Sequence, residues 1–399
     1  MPLISAIVPT YNRARFLRQT IDGLRRQTRR VDEIILWNDG STDETLDVVR
    51  DLGKGIRVFS AANAGKSAAL NAAMAEARGD YIWICDDDDI ALPGAAATLA
   101  GILDANPGAG VAGASYRRFR EGQPEQGPGY WPDMGTGTPI RHVLEDIFLF
   151  QNAMMVRREL YDRVGPFRED LPRSIDYEML VRLGLAAPIV MTEEAVFLQR
   201  KHDGDRGPAA ARHAADQSEA VWKATDRAIF AGFRDRIPLS FYEAMFQADG
   251  PEALRRVALL QRACVHARKT DWPAAIADFN AAAGLLPQAA LGATERRICL
   301  RAMAGKHGIA EAMEPATRHA LRGIARRTPA GAAIATALRH GLRWRLRVAV
   351  TRRDLGDTVG IARLAMALRG GGGGTDAAPE TKERRDIPAA AFVDLRPVD

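Results

Sequence analysis

Four consecutive aspartates, Asp86-Asp87-Asp88-Asp89, follow the apolar run Tyr81 to Cys85. Adjacent carboxylates repel one another, so the cluster is costly unless a cation or strong hydrogen-bond donors sit among them. The apolar run has the length of a buried strand, and open α/β sheets bind ligands at the carboxyl ends of their strands. Strand alternation puts Asp86 and Asp88 on one side, and Asp87 and Asp89 on the other. An Asp-x-Asp pair suits a hard divalent cation whose remaining ligands are phosphate oxygens. The structural alternative is a helix cap: Asp89 would favour a helix starting after Leu92-Pro93.

Other routes to phosphate binding are missing. There is no GxGxxG, which argues against a dinucleotide-binding oxidoreductase, and no GxxxxGK[ST], which argues against a P-loop NTPase. Ala64-Gly65-Lys66-Ser67 matches only the end of that second motif, without its first glycine. Phosphate charge therefore falls to a metal and a few basic side chains.

The elements that position the aspartates alternate in type. Leu3 to Val8, Glu33 to Trp37, Ile56 to Ser60 and Tyr81 to Cys85 read as strands. Between them, residues 14–27, a segment capped by Ser41 or Thr42 and running to Leu52, and residues 66–78 read as helices. Such alternation predicts a parallel sheet with right-handed crossovers. Its strand-end loops Pro9–Asn12, Asn38–Asp43, Asn63–Lys66 and Asp86–Asp89 would converge on one rim. Further on, Val111 to Tyr116 reads as a strand, residues 120–139 as a Gly- and Pro-rich loop, and Arg158–Val164 as a short helix.

With 399 residues the chain has room for two domains or more, and its formal net charge of +5 fits an anionic ligand or membrane surface. Cys85, Cys264 and Cys299 are widely spaced and form no CxxC, which argues against a disulfide framework or zinc site. The N-terminal segment lacks a basic region, and no apolar stretch is long enough to span a bilayer. The expectation is a cytoplasmic protein, peripheral at most on the inner face of the cytoplasmic membrane.

Pro9-Thr10-Tyr11-Asn12, Asn38-Asp39-Gly40-Ser41-Thr42-Asp43, Asn63-x-Gly65 with Asn71, Gly79-Asp80-Tyr81-Ile82 and Asp86-x-Asp88-Asp89 share an order and spacing. In both, residues 1–205 resemble the family-2 glycosyltransferases. The resemblance implies a GT-A fold and an inverting enzyme using a nucleoside-diphosphate sugar, with a UDP-sugar favoured, and Mn²⁺ or Mg²⁺. It sets Pro9 and Tyr11 in the loop that holds the nucleoside, with Asp39 accepting the base imide N–H that uracil, or thymine, presents. Asp86 and Asp87 fall to the nucleotide sugar, Asp86 at ribose or sugar hydroxyls, while Asp88 holds the metal that bridges the two phosphates. Lys66 reaches the nucleotide side, or is an exposed helix-start lysine.

In Ser174-Ile175-Asp176-Tyr177-Glu178, Asp176 matches the family's general base and Glu178 its later acid, whereas Ile175 replaces the usual glutamate. Asn38 likewise stands where a second aspartate is common. Arg200-Lys201-His202 resembles a closing segment in which His202 ligates metal or diphosphate and Arg200 or Lys201 contacts phosphate. Structural readings stand beside these: Tyr11 as a core cover, Asp39 as a turn residue, Asp176 as a helix cap, His202 as a lone structural histidine. The rival functions are a nucleotidyltransferase and a catalytically inactive nucleotide-sugar-binding scaffold.

The domain boundaries expected are 1–207 for the catalytic domain, 208–369 for an all-α domain, and 370–399 for a Gly-rich linker and disordered tail. Residues 208–236 read as one long helix, and Asp271 to Ala282 resembles one helix of a tetratricopeptide-type hairpin without a repeat. From Pro315 to Arg353 there is no Asp or Glu. This segment, extended to 369, suggests peripheral contact with an anionic membrane, or a solvated basic face packed on the helices. The helical domain is expected to serve a protein partner or self-association. The acceptor is a glycan, lipid-linked or protein hydroxyl, and no nucleic acid is expected.

Overall fold

The computed structural model describes residues 1–133, 137–201, 218–370 and 376–397. Its elements in chain order begin β1 (Ile4–Thr10), α1 (Ala14–Arg25), β2 (Glu33–Asp39), α2 (Thr45–Leu52), β3 (Ile56–Ala61), α3 (Lys66–Glu76), β4 (Tyr81–Ile84), β5 (Ile90–Ala91) and α4 (Ala95–Ala105). Next come β6 (Val111–Phe119), α5 (Pro139–Glu145), β7 (Met154–Arg157), α6 (Arg158–Val164), α7 (Ile175–Ala186) and β8 (Ile189–Arg200). The remainder is helical but for two short strands: α8 (Ser218–Arg234), α9 (Leu239–Glu243), β9 (Phe246–Ala248), α10 (Pro251–Arg268), α11 (Trp272–Leu285) and α12 (Ala293–Ala302). It closes with α13 (Ala310–Met313), α14 (Pro315–Arg327), α15 (Pro329–Gly341), α16 (Arg343–Thr351), α17 (Leu355–Ala367) and β10 (Thr381–Glu383). Two compact units result: Met1–Asp133 with Ile147–Ser218 and Phe392–Asp399, and Met134–Asp146 with Glu219–Ala391.

The first unit is built on a mixed sheet of order β3-β2-β1-β4-β7-β6-β8-β5. The first four of these strands run parallel, as alternating strands and helices require. β7 is antiparallel to both β4 and β6, and β8 returns parallel to β6. β1 and β4 are buried along their whole length, the signature of parallel strands covered on both faces. The expected fold class therefore holds: an α/β sheet flanked by helices, followed by a helical unit.

Gly79-Asp80 has a structural explanation. A Cβ at Gly79 would lie 2.5 Å from Ser5 Oγ and 2.9 Å from the Leu3 carbonyl, so only glycine lets β4 enter beside β1. The Gly79 amide donates to Ser5 Oγ at 2.7 Å, and the Leu3 amide donates to Asp80 at 2.8 Å. The dipeptide fixes the register that delivers the aspartates to the strand end.

Several expectations are corrected. Ser41 and Thr42 do not cap α2; both bind Asn12, and Asp43 accepts the Thr45 amide at 3.0 Å instead. Pro9 lies inside β1, paired with Trp37 and buried, not in a loop. Asp89 caps no helix: it is buried, and β5 intervenes before α4. Of the long helix expected over 208–236, residues 218–234 form α8 and the earlier part lies outside the described residues, as do 371–375 of the glycine linker.

In the second unit, α10 and α11 form a helical hairpin closed by buried Trp272, with Asp271 accepting the Ala274 amide as the α11 cap. At its centre Glu145 accepts from Arg141 at 3.1 Å, Arg301 at 3.0 Å and Gln261 at 2.9 Å. Burial alone would raise its pKa; Arg301, Arg141 and Arg268 outweigh burial and hold it far below the carboxylate range. The tail expected to be disordered is partly structured, since β10 pairs antiparallel with β9. The reason is Glu383, whose carboxylate lies 3.7 Å from Arg141 and 3.6 Å from Arg301. Composition registered only a charged, proline-bearing tail.

Candidate functional site

The strand-end loops of the first unit are tied to one another by side chains. Asn12, just after β1, donates its amide to Ser41 Oγ at 2.9 Å and accepts the Thr42 amide at 2.7 Å. Asn12 holds a left-handed φ of 53°, a conformation asparagine tolerates better than most residues. Tyr11 beside it is partly buried. At the end of β2, Asp39 accepts the Ala64 amide at 2.8 Å, the Gly65 amide at 2.9 Å and Asn63 Nδ2 at 3.1 Å. Gly40 makes this approach possible: with φ at 74°, a Cβ there would lie 2.7 Å from the Asn63 nitrogen.

The aspartate run is a turn, not a strand extension. β4 ends at Ile84, and the Asp89 amide folds back toward the Asp86 carbonyl. The alternation expected for the four carboxylates is therefore corrected: Arg13 Nε stands 3.7 Å from Asp87 and 4.0 Å from Asp88, one from each supposed side. Asp86 pairs with Lys66 at 2.5 Å. Asp89 is inside, accepting from Asn152 Nδ2 at 2.8 Å and from the Arg200 amide at 2.7 Å, while its carbonyl accepts from Thr20 Oγ1 at 2.7 Å. Asn152 also accepts the Asp86 amide at 2.6 Å, so it clamps both ends of the turn. Arg200 is buried over the Phe16 and Phe119 rings and donates Nε to the Asp88 carbonyl at 2.8 Å. It holds the turn, and its side chain is committed there.

Electrostatics separates the four carboxylates further. Burial and the neighbouring Asp88 charge push Asp87 up to about 7, against the pull of Arg13. Asp89 is raised well above the carboxylate range by burial and by Asp88 and Asp86. Lys66, exposed at the start of α3, is raised by Asp86, then by Asp176 and Asp87. Asp176, in the first turn of α7, is raised by burial and by Asp86 although Lys66 opposes the shift. Lys66, Asp86 and Asp176 thus belong to one electrostatic group, which in the sequence only the family resemblance connects.

Glu178 lies outside that group. It is buried and accepts from Arg182 Nε at 2.9 Å and Nη2 at 2.8 Å. Arg182 in turn donates to the carbonyls of Val164 at 2.7 Å, Gly165 at 3.1 Å and Pro166 at 2.8 Å. The pair fastens α7 to the loop after α6, and Asp176 rides at its start. Lys201 is partly buried, and its amide donates to the Phe119 carbonyl at 2.8 Å. His202 lies outside the described residues. Arg13 and Asn152 were missed by sequence reasoning: Arg13 follows Tyr11-Asn12 directly, whereas Asn152 carries no local pattern that marks it.

Residues 5–165 match the family described as Glycosyl transferase family 2. An uncharacterized glycosyltransferase of Rickettsia felis is 26% identical over 242 residues, 55% of this chain and 38% of that protein. Chondroitin synthase of Pasteurella multocida is 28% identical over 197 residues, 46% of this chain and 19% of that protein. The uncharacterized glycosyltransferase EpsJ of Bacillus subtilis is 30% identical over 213 residues, 51% of this chain and 62% of that protein. The chain thus spans less than two thirds of the length of each. Among solved structures, S. aureus TarS 1-349 shares the fold with a TM-score of 0.51 at 18% identity, covering 86% of this chain and 91% of that one. The match over residues 5–165, which takes in the Asp39 loop, the Gly79-Asp80 entry and the aspartate turn, makes that part of the chain similar to glycosyl transferase family 2.

Proposed function

We propose that the chain is an inverting, metal-dependent glycosyltransferase moving a sugar from a UDP-sugar to a hydroxyl of a glycan or glycoconjugate. The observation that carries the reading is the electrostatic group of Lys66, Asp86 and Asp176 at the rim where the Asp39 loop also ends. Inversion needs one in-line displacement at the anomeric carbon, and the attacking hydroxyl must lose its proton. Asp176 takes that proton, and its raised pKa brings it nearer the working pH of a general base. Lys66 keeps Asp176 ionised and meets donor charge, with Asp86 against the sugar or ribose hydroxyls.

A carboxylate has about four lone-pair sites, and Asp39 uses three of them within its loop. One remains for a base imide N–H, which supports uracil as the base, with Tyr11 beside it and Pro9 supporting the loop from within β1. Names of relatives agree with this direction: chondroitin synthase and hyaluronan synthase of Pasteurella multocida, and TarS crystallised with UDP-GlcNAc.

Among the described residues no three ligating side chains converge. With Asp86 paired to Lys66 and Asp89 held inside, the donor set fits a divalent cation that draws most of its oxygens from substrate phosphates. Asp88 would hold it, joined by His202 from outside the described residues, with Asp87 beside the diphosphate. Held there, Mn²⁺ or Mg²⁺ would supply positive charge against that of the departing diphosphate.

Among the described residues no helix is long and apolar enough to cross a membrane. Exposed Trp344 and Val350 on α16, among Arg343, Arg347 and Arg352, support peripheral contact with an anionic bilayer. Sedimentation with anionic vesicles checks that part of the proposal.

The deciding experiment is a thermal-shift panel of nucleotide sugars with and without Mn²⁺, followed by product analysis. UDP-sugars should stabilise the protein most, Asp88→Ala should remove the metal-dependent part, and UDP should be released on transfer. Release of pyrophosphate would mean a nucleotidyltransferase, and metal-independent affinity unchanged by Asp88→Ala would refute the metal assignment.

A further inference from the structure

One face of α14 is basic throughout. Pro315, Arg318, His319, Arg322 and Arg326 follow the three- and four-residue spacing of a single helical stripe, while Leu321, Ile324 and Ala325 are buried on the other side. α17 faces that stripe with Arg363, Met366 and Ala367, and Arg369 follows directly. Together they line a groove of ≈ 520 Å³. Arg318 Nη1 donates to the Met313 carbonyl at 3.1 Å. Arg322, Arg326, Arg363 and Arg369 make no ion pair among the described residues, and α14 contains no acid to neutralise them. Like charges repeated every four residues destabilise a helix, so an anion seated among them relieves a repulsion built into the fold.

The groove's shape and lining select the anion. Its volume lies in the range that encloses a ligand of several rings, and it is concave, which a bilayer plane cannot follow. No Phe, Tyr or Trp lines it, unlike the aromatic platforms on which successive nucleobases stack. Guanidinium forks match carboxylate and phosphate oxygens in pairs, and Met366 and Ala367 add apolar surface for sugar C–H faces.

We propose that this groove binds an anionic glycan chain through its carboxylates or phosphates, and so names the acceptor class of the transferase, resting on that reading for its function. The test is fluorescence anisotropy on the full chain with labelled oligogalacturonate, oligo(glycerol phosphate) and a neutral maltooligosaccharide of equal length. Phosphatidylglycerol vesicles and inorganic phosphate serve as separate arms. Either anionic oligomer should bind, the more favoured one distinguishing carboxylate from phosphate, and the neutral one should not. R322E/R326E/R363E should weaken that binding on the order of tenfold or more, while R343E/R347E/R352E, an equal charge change on and just after α16, should not. R322Q/R326Q/R363Q should lose binding too, which guards against misfolding of the reversed-charge variant. UDP-dependent thermal shift, unchanged in all variants, separates failure of the groove from failure of the enzyme reading. Equal loss in both charge-reversal variants, no binding of either anionic oligomer, or vesicle binding alone that depends on the groove arginines would overturn the proposal.

Discussion

Glu178→Ala is expected to destabilise the first unit severely, and the size of the loss can be worked from the pair it breaks. Glu178 is 2% exposed and Arg182 0%, and two hydrogen bonds of 2.9 and 2.8 Å join them. Deleting the carboxylate strands a buried guanidinium, which typically costs about 3–5 kcal/mol. A domain's whole stability is only about 5–15 kcal/mol, so the variant should sit near the edge of folding. Arg182→Met should cost more still, because it strands Glu178 and also three carbonyls, those of Val164, Gly165 and Pro166. The double variant E178A/R182M behaves differently. Replacing both ions by apolar groups removes the charge penalty and leaves only the three carbonyls, at about 1 kcal/mol each. Its loss should therefore be near 3 kcal/mol, well below the sum of the single losses. Urea unfolding followed by circular dichroism, with buried Trp83 as a fluorescent reporter in this unit, measures all four proteins. A loss below about 1 kcal/mol in the single variant, or strict additivity in the cycle, would refute the claim that this is a desolvated pair.

Asp176→Asn should keep UDP-sugar affinity and abolish transfer; normal turnover would remove it as the base. Lys66→Met withdraws the cation that holds Asp176 down, so the acid limb of kcat/KM should move to higher pH by about one unit or more. An unmoved limb would show that Lys66 and Asp176 do not share a field. Glu145 has a folded pKa held far below its unfolded value by Arg301, Arg141 and Arg268. Its stabilisation is complete above about pH 5 and is lost as pH falls through the unfolded pKa of about 4.3 and below. Urea midpoints of the wild type should fall over that window more steeply than those of Glu145→Gln, and parallel curves would contradict the assignment.

The parallel half of the sheet was legible because β1, β2 and β4 are continuous apolar runs ended by polar turns. Strand-end loops on one rim follow from that topology alone. Three things escaped the pattern. Period-two alternation stops at Ile84, where the chain turns, so Asp87 and Asp88 do not take opposite sides and one arginine lies beside both. Asn152 clamps the turn from a segment 66 residues beyond Asp86 in sequence, and nothing local distinguishes it from any loop asparagine. Glu178 sits two residues after Asp176 and looked like part of the same acidic pair. Helical geometry instead brings it against Arg182, four residues on, inside the core. The second unit was read only as helical, because its Glu145 cluster joins α5 to helices more than a hundred residues later.

Four adjacent carboxylates would be prohibitive if all four faced one cavity, and the fold avoids that by giving each a different neighbour. Asp89 turns inward to Asn152 and the Arg200 amide, Asp86 pairs with Lys66, and Asp87 with Asp88 meets Arg13. Dividing the run in this way has a consequence for the proposed chemistry. With two carboxylates committed and Asp87 raised to about 7, the rim offers too few protein oxygens to hold a divalent cation tightly alone. The diphosphate must bring the remaining oxygens, so donor and metal should bind together. Arg13 and Lys66 then flank the phosphates that the carboxylates alone would repel. On the proposed function, this divided set of carboxylates would become a cation site only when a nucleotide sugar completes it.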